Sequence, residues 1–234
     1  MRKDKWEKSY KRKENFVFYP HEEVIRFVAK NIRRRIGLNE YEDIRSYDHT
    51  PRFLALGCGI GRHVIFAHEM NFEGYGIDLS REAVTFARDW GRKRGLTTPE
   101  EQIVQGSVDD LPWKDEFFDV IVSHGVLDSM PFETACEAVK EAHRVLRSDG
   151  LFYCDLISGD DSDHAREYSG EEVVDSDFEK ETIQSYFNYC KIKKMIKSIF
   201  EIKKSLLVRR EDVRRGFYGA RYHLILKKMS KNDG

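Results

Sequence analysis

A short apolar run that leads directly into three alternating glycines constrains this chain more than any other feature. Residues 52–56, RFLAL, have the apolar character of a strand that is buried on both faces of a parallel sheet. Gly57, Gly59 and Gly61 follow at once, and a helix is predicted from there to about Met70. Such a unit presents free N–H groups at a helix N-terminus, where a phosphate or a carboxylate can bind.

The alternation of strands and helices continues from residue 52 to residue 157. Strands are predicted for EGYGIDL, EQIVQ, FFDVIVS and GLFYCDLI, and helices for REAVTFARDWGRKR and ETACEAVKEAHRVLR. Near the C-terminus, FEIKKSLLVRR and ARYHLILKK are joined by a turn around residues 216–219, which predicts a hairpin. The predicted fold class is α/β, a doubly wound, mostly parallel sheet with an antiparallel last strand and helices on both faces.

The segments around this core are predicted from local signals. HEEVIRFVAKNIRRRIG has helical periodicity from residue 21 and ends at Gly37, a favourable residue after a helix. Ser80 and Asn188 are predicted helix N-caps, the latter for YCKIKKMIKSI. Residues 158–179 are acidic and rich in turn residues, so an inserted loop is expected there, and KETIQSYF after it is a candidate extra strand.

Composition excludes several classes of protein. The formal net charge of −1 favours neither a nucleic-acid partner nor an anionic membrane surface. No apolar run reaches the ~18 residues that a membrane span needs, and the basic start lacks the apolar segment of a signal peptide. The four cysteines are scattered, which argues against disulfides and against a zinc site. The expected setting is the reduced cytoplasm, and nothing specifies an oligomeric state.

The spacing of the glycines decides between two nucleotide ligands. A dinucleotide-binding loop has a small residue at the sixth position, counted from the first glycine, and Arg62 occupies that position here. About twenty residues on, the second strand ends in Asp78, whose carboxylate can accept hydrogen bonds from both hydroxyls of a ribose. The alternatives are a tight turn without a ligand and an acidic residue that only stabilises the next helix.

Taken together, ALGCGIGRH, GIDLS, GSVDDLPW, FDVIVSHGVL and EAHRVLRSDG resemble the class I S-adenosylmethionine-dependent methyltransferases. The motifs cover roughly residues 50–158, and the helix and hairpin over 188–228 are similar to the end of that family's seven-stranded sheet. The resemblance implies one methyltransferase domain over 1–234. Its parts would be an N-terminal arm and helix over 1–50, a cofactor-binding core over 51–157, an insertion over 158–187, and a C-terminal helix and hairpin over 188–234.

The resemblance also implies a site for S-adenosylmethionine, which leaves as S-adenosylhomocysteine. In the family, the glycines of the first loop face the methionine part of the cofactor. The acidic residue at the end of the second strand holds the ribose, and the next residue lies beside the adenine. The matching residues here are Gly57, Gly59, Gly61, Asp78 and Leu79.

Two further loops are implied to complete the cofactor site. The family usually has an acidic residue after the glycine of GSVDDLPW, where it bonds the adenine amino group. This chain has Ser107 there and Val108 next, with Asp109 as a possible substitute for the acid. At the end of the fourth strand, Ser123 and His124 would lie beside the sulfonium and the methyl acceptor.

Candidate catalytic and substrate-side residues follow from the same comparison. His124 and Asp128 stand where a base would act, and a base is needed only when the nucleophile must lose a proton. Otherwise His124 packs against the cofactor and Asp128 orients it. Among the N-terminal aromatic residues, Tyr10 and Tyr19 are the candidates for lining the site, since a sulfonium is attracted to aromatic faces. They could equally anchor the arm.

The sequence thus predicts a methyltransferase that uses S-adenosylmethionine to methylate an oxygen, nitrogen or carbon of a small-molecule acceptor. The alternatives are an RNA or protein methyltransferase of the same fold, a non-catalytic S-adenosylmethionine-binding protein, and a nicotinamide-dependent oxidoreductase. Arg62 counts against the oxidoreductase. The lysines and arginines of 191–215 are interpreted as a solvated face, so no nucleic-acid partner, no membrane and no metal is expected.

Overall fold

The computed structural model describes residues 2–175 and 180–229, and a seven-stranded sheet lies at its centre. Met1, residues 176–179 and residues 230–234 lie outside the described part, so the predicted arm, insertion and C-terminal segment are each described in part. The strands are β1 (Arg33–Arg35), β2 (Tyr41–Asp43), β3 (Arg52–Leu56), β4 (Glu73–Asp78), β5 (Ile103–Gln105), β6 (Phe118–Ser123), β7 (Leu146–Ile157), β8 (Glu171–Val173), β9 (Ile183–Ser185), β10 (Phe200–Asp212) and β11 (Phe217–Lys228). The helices are α1 (Arg2–Lys11), α2 (Glu22–Asn31), α3 (Arg62–Glu69), α4 (Arg81–Lys93), α5 (Pro99–Gln102), α6 (Phe132–Val145) and α7 (Tyr189–Ile196).

The sheet order inserts the last strand of the chain between two others. From one edge to the other, the order is β10, β11, β7, β6, β3, β4, β5. The pairs formed among β3, β4, β5, β6 and β7 are all parallel. Strand β11 runs antiparallel to both β7 and β10. The predicted seven-stranded, mostly parallel sheet with an antiparallel last strand is confirmed.

Both faces of the sheet are covered by helices, because successive strand residues point to opposite sides. Leu54 and Leu56 of β3 join a buried cluster with residues of α6 and α7. Phe53 and Ala55 of the same strand join a second buried cluster with residues of α2, α3 and α4. Burial on both faces explains why RFLAL contains no polar position after its first residue. The doubly wound arrangement is confirmed.

The helix predicted from residue 21 to Gly37 ends earlier than expected. Helix α2 ends at Asn31 and strand β1 follows, so the predicted C-terminal end is wrong. Arg33, the first residue of β1, donates to the carboxylate of Asp43 on β2 and to two carbonyl oxygens just after α3. Pairing of β1 with β2 therefore outweighs the helical propensity of the arginine run.

The predicted inserted loop over 158–179 contains a strand in its described part. Strand β8 pairs antiparallel with β9 in a small sheet apart from the main one, and β9 confirms the extra strand predicted in KETIQSYF. Lys191 of α7 fastens this insertion, because its Nζ atom donates at 2.9 Å to Ser169 O, Ser185 Oγ and Tyr186 O. The insertion is therefore tied to the C-terminal helix.

The hairpin of β10 and β11 rises past the carboxyl edge of the parallel strands. Pairing of β11 with β7 begins at Arg221, opposite Ile157, so the residues of β11 before Arg221 extend beyond β7. The turn comes slightly earlier than predicted, because β11 already begins at Phe217. Within the described residues, every helix is too short or too polar to cross a membrane.

Both predicted N-caps are confirmed, and one of them gives a test of the fold. Ser80 Oγ accepts from Ala83 N at 3.2 Å, and Asn188 Oδ1 accepts from Lys191 N at 2.8 Å. Asn188→Ala should lower the free energy of unfolding by about 1 kcal/mol, since it leaves an N–H group of the first turn without an acceptor. Urea unfolding measures the change. Asn188→Ser keeps an acceptor and should recover most of the loss, and equal losses in the two variants would contradict the cap.

Candidate active site

A cavity of about 250 Å³ opens at the carboxyl edge of the sheet. Its walls come from the loops after β3, β5 and β6, from the end of β4, and from residues 2–20, which we call the arm. Strand β3 lies between β4 and β6, so the strand order runs away from it in both directions. In open α/β sheets, ligands bind outside the carboxyl ends of the strands at such a point. The glycine loop after β3 lies there.

Two of the three glycines line this cavity. Gly57 and Gly59 have left-handed backbone angles, with φ of 54° and 53°. A Cβ atom on Gly59 would lie 2.6 Å from Tyr10 Oη, and one on Gly57 would lie 2.5 Å from Cγ2 of Val126. Both positions therefore need glycine for conformation and for space. Gly61 does not line the cavity but forms the N-cap of α3.

Asp78 lies beside the glycine loop, where the sequence predicts it. It is the last residue of β4 and lines the cavity, although only 7% of it is exposed. Its carboxylate accepts from Gly59 N at 2.8 Å and from Ser80 N at 2.9 Å. Burial raises the pKa of Asp78 to about 6 against the effect of these two donors. The group is therefore ionised at neutral pH, with lone pairs left for hydroxyl donors.

The residues predicted around the adenine divide into two groups. Leu79 and Val108 form an apolar wall of the cavity near Asp78. Ser107 and Asp109 do not line it; the Ser107 hydroxyl donates to the Asp109 carboxylate instead. Asp109 lines a neighbouring cavity between the arm and the insertion.

The arm closes one side of the cavity. Glu7 of α1 fastens it to α4, because its carboxylate accepts from Ser80 Oγ at 2.7 Å. Phe16 packs edge-on against Phe86 of α4, with ring centroids 4.8 Å apart. Tyr19, predicted on the substrate side, is 83% exposed and does not line the cavity. The arm residues that do line it are Trp6, Tyr10, Asn15 and Val17.

His124 lies between an arginine and a carboxylate, directly after β6. Its Nδ1 atom is 3.2 Å from Nη2 of Arg62, and its Nε2 atom is 3.4 Å from Oδ2 of Asp155. A guanidinium only donates, so Nδ1 is an acceptor and the ring proton belongs on Nε2. Burial lowers the pKa of His124 to about 3, which keeps the ring neutral at physiological pH. His124 lines the cavity, whereas the preceding Ser123 is wholly buried and does not.

Asp128, predicted as a catalytic residue, does not line the cavity and is held by Arg221. Arg221 Nη2 donates to Asp128 Oδ2 at 2.5 Å, and Nε donates to Asp155 Oδ2 at 2.9 Å. Asp155 also accepts from Gly125 N at 2.7 Å. Burial raises the pKa of Asp128, while for Asp155 the charge of Arg221 overcomes burial and lowers the pKa. The carboxylate that faces His124 is therefore Asp155.

Three more histidines surround His124. The rings of His21 and His63 have centroids 3.9 Å and 5.8 Å from that of His124, and His223 stacks 6.3 Å from His21. His21 also donates its backbone N–H to His63 Nε2 at 3.2 Å. Burial lowers the pKa of all four imidazoles, so the cluster is neutral where the protein works near neutral pH. Within the described residues, no group of three or more His, Cys, Asp or Glu side chains could hold a metal ion.

Asp155, Arg221 and the contact between Arg62 and His124 belong to none of the sequence motifs. Asp155 is a lone acidic residue near the end of the apolar strand GLFYCDLI, and a charge in a buried strand is a usable signal. Arg221 and His223 alternate in β11, which puts both side chains on one face of the sheet. Their partners lie far away in the chain, so the contacts themselves have no local pattern.

Comparisons with known proteins point to a methyltransferase domain. Residues 54–154 match a family model described as a methyltransferase domain. An uncharacterized protein of Methanocaldococcus jannaschii is 31% identical over 122 residues, which are 52% of this chain and 52% of that protein. The chain spans about half the length of the curated relatives that it matches.

Solved structures share the fold. A protein of Methanosarcina mazei described as a SAM-dependent methyltransferase superposes with a TM-score of 0.62 at 21% identity, over 79% of this chain and 95% of that one. The cyclase SpnF superposes with a TM-score of 0.61 at 17% identity, over 88% and 80%. Residues 54–154 thus match a methyltransferase domain, and the chain shares its fold with a structure described as a SAM-dependent methyltransferase. Its neighbours have more than one described activity, so the acceptor must be inferred from the site.

The neutral histidine cluster predicts a loss of stability in acid. A histidine whose pKa is lowered by folding binds fewer protons folded than unfolded below about pH 6.5, so stability falls as the pH falls. For His124, with its pKa lowered to about 3, the loss between pH 7 and pH 5 is about 2 kcal/mol.

Urea unfolding of the native protein and of His124→Gln at these two pH values measures that loss. Between pH 7 and pH 5, the free energy of unfolding should fall by about 2 kcal/mol less in His124→Gln than in the native protein. His68→Gln, on α3 and outside the cavity lining, is the matched control and should keep the native pH dependence. An unchanged pH dependence in His124→Gln would show that His124 is not held neutral.

Proposed function

We propose that this protein transfers a methyl group from S-adenosylmethionine to a small-molecule acceptor in the cavity at the carboxyl edge of the sheet. The observation that carries the proposal is the buried, ionised carboxylate of Asp78 beside the glycine loop. Burying a carboxylate is costly unless partners compensate for the lost water. Two backbone N–H groups supply part of this compensation, and ribose hydroxyls would supply more.

The residues of the cavity fit this cofactor. Gly57 and Gly59 line the cavity, and without side chains they would let the methionine part approach the backbone closely. Asp78 would accept hydrogen bonds from the ribose, and the apolar surface of Leu79 and Val108 suits the adenine. Four residues predicted for the same site do not line the cavity and would support the residues that do: Gly61, Ser107, Asp109 and Ser123. When bound, the cofactor supplies a methyl carbon activated by an adjacent sulfonium.

A small acceptor fits the enclosure of the cavity better than a macromolecule. The arm covers the cavity through Tyr10 and its neighbours, and Lys5 of α1 donates to Glu181 O in the insertion. A cavity of about 250 Å³ roofed in this way admits a ligand of limited size. We infer that the arm and the insertion, with the core and the C-terminal hairpin, form one methyltransferase domain.

His124 is the residue that we assign to proton transfer. Its neutral ring lies in the cavity wall and could take the proton of an acceptor hydroxyl or amine where the Asp155 carboxylate offsets the burial that lowers the pKa of His124 to about 3. Asp155 faces Nε2 and would stabilise the imidazolium that forms. Asp128 acts through Arg221 as a positioning residue. Much of the remaining acceleration would come from alignment of the reactants in the closed cavity.

Thermal unfolding with candidate ligands tests the choice of cofactor. S-adenosylhomocysteine at a hundred times its dissociation constant should stabilise the fold by about 2.7 kcal/mol, because it binds only the folded state. NAD should leave the melting temperature unchanged, since Arg62 occupies the position that a dinucleotide-binding loop keeps small. Stabilisation by NAD alone would overturn the proposal.

A substitution at Asp78 tests the position of the site. Asp78→Ala should weaken binding of S-adenosylhomocysteine at least about tenfold in isothermal titration calorimetry, because hydrogen bonds to a charged group are worth about 1.5–3 kcal/mol. Asp89→Ala removes the same charge from the exposed face of α4 and should bind normally. Equal affinities in the two variants would remove Asp78 from the site. Native binding should also weaken below about pH 6, where Asp78 becomes protonated.

A further inference from the structure

Arg62 brings a positive charge into the cavity wall without a carboxylate partner. Its described contacts are both neutral: Nη2 with His124 Nδ1 at 3.2 Å, and Nη1 with Tyr19 O at 3.5 Å. Among the described residues, no carboxylate lies within ion-pair distance of this guanidinium. Burial lowers the pKa of Arg62, an effect that an anion beside it would relieve. A half-buried charge of this kind is costly unless something of opposite charge joins it.

The acidic residues of the site do not meet this need. The charge of Asp155 raises the pKa of Arg62. The Asp155 carboxylate, however, already accepts hydrogen bonds from Arg221 and from Gly125 N. Asp128 is bound by Arg221 as well. One guanidinium therefore takes both carboxylates, and the other is left facing the cavity.

A second arginine faces the same region from the hairpin. Arg210 of β10 pairs with Gly219 of β11, two residues along from the pair formed by Val208 and Arg221, so Arg210 and Arg221 share a face. The charge of Arg210 contributes to the lowered pKa of both His21 and His223, which places it near the cluster. Within the described part of the chain, Arg210 also has no carboxylate at ion-pair distance.

We propose that the methyl acceptor is an anion, a carboxylate or a phosphate, which Arg62 binds inside the cavity and Arg210 attracts at its rim. This inference rests on the proposed function and names the class of its acceptor. Arg62 can donate up to five hydrogen bonds in a planar fork that matches both kinds of anion. The single arginine in the cavity lining and the limited volume of the cavity suit a small anion better than a polyanion.

The position of Arg62 would couple recognition of the anion to proton transfer. In the described state, Arg62 donates to Nδ1, the one lone pair with which His124 can accept a proton. An anion that draws the guanidinium to itself frees this lone pair. The proton of the acceptor O–H or N–H then passes to Nδ1, its former bonding pair stays on the acceptor as the nucleophilic pair, and Asp155 stabilises the imidazolium.

The carboxylate of the cofactor is the other anion that could meet Arg62. The first-turn N–H groups of α3, next to the glycine loop, have no intrahelical acceptor and offer that carboxylate a separate place. Because Arg62 reaches away from this turn to His124, the acceptor side is the better assignment. The experiment distinguishes the two sources.

The test follows the histidine ring signals of protein labelled with ¹⁵N-histidine and saturated with S-adenosylhomocysteine. Inorganic phosphate and acetate are titrated as probes, with sodium chloride to match the ionic strength, and His124→Gln identifies the His124 signals. Both probes should shift these signals saturably. Arg62→Met should weaken the binding at least about tenfold, because charged hydrogen bonds are lost. Arg210→Met should weaken it about threefold, as expected for a charge at the rim.

Arg26→Met is the matched control, since it removes an exposed arginine of α2 that is paired with Glu22 and Glu23; it should bind both probes normally. Absence of saturable shifts, or equal shifts in native protein and Arg62→Met, would overturn the anionic acceptor. Isothermal titration calorimetry provides a second measurement. If Arg62→Met weakens S-adenosylhomocysteine but not 5′-methylthioadenosine, Arg62 serves the cofactor's carboxylate and the proposal fails. Failure of native protein to bind S-adenosylhomocysteine would instead overturn the proposed function.

Discussion

The bridge from Arg221 to Asp128 and Asp155 is the interaction on which the site depends. It joins β11 to the end of β7 and to the loop after β6, through donors 2.5 Å and 2.9 Å from the two carboxylates. Both carboxylates are buried, so their loss of water must be offset by this guanidinium, by Gly125 N, which donates to Asp155, and by Ile157 N, which donates to Asp128. Such a bridge adds little net stability, yet removing one member leaves an uncompensated charge. It therefore fixes the position of the Asp155 carboxylate that faces His124.

This bridge also explains the antiparallel last strand in functional terms. Because β11 lies between β7 and β10, its alternate side chains stand directly beside those of β7, with Arg221 opposite Ile157 and His223 opposite Asp155. A chain that ended after β7 would bury Asp155 without its main partner. The C-terminal hairpin is thus part of the site, although Arg221 lies 66 residues from Asp155 in the chain.

Features that depend on neighbouring residues can be predicted from the sequence, whereas contacts between residues far apart in the chain cannot. RFLAL, the glycine loop and the caps at Ser80 and Asn188 are local signals, and the structure bears them out. The end of α2 was predicted wrongly because the decisive contact, from Arg33 to Asp43, forms across a turn that the helical pattern does not reveal. Asp128, predicted as a catalytic residue, lies in the loop after β6 and outside the cavity lining, because its partner Arg221 comes from β11 and leaves no local signal in the sequence.

The arm links the two halves of the site. Tyr10 lies over Gly59 on the side proposed for the cofactor, whereas His21, just after the arm, contacts His124 and His63 on the side proposed for the acceptor. The arm therefore covers both halves of the cavity, and exclusion of water strengthens every charge–charge interaction within it. The same exclusion of water keeps the imidazoles neutral and lowers the pKa of Arg62, whose charge an anion would compensate. One segment would thus serve both the proposed proton transfer and the proposed selectivity for an anionic acceptor.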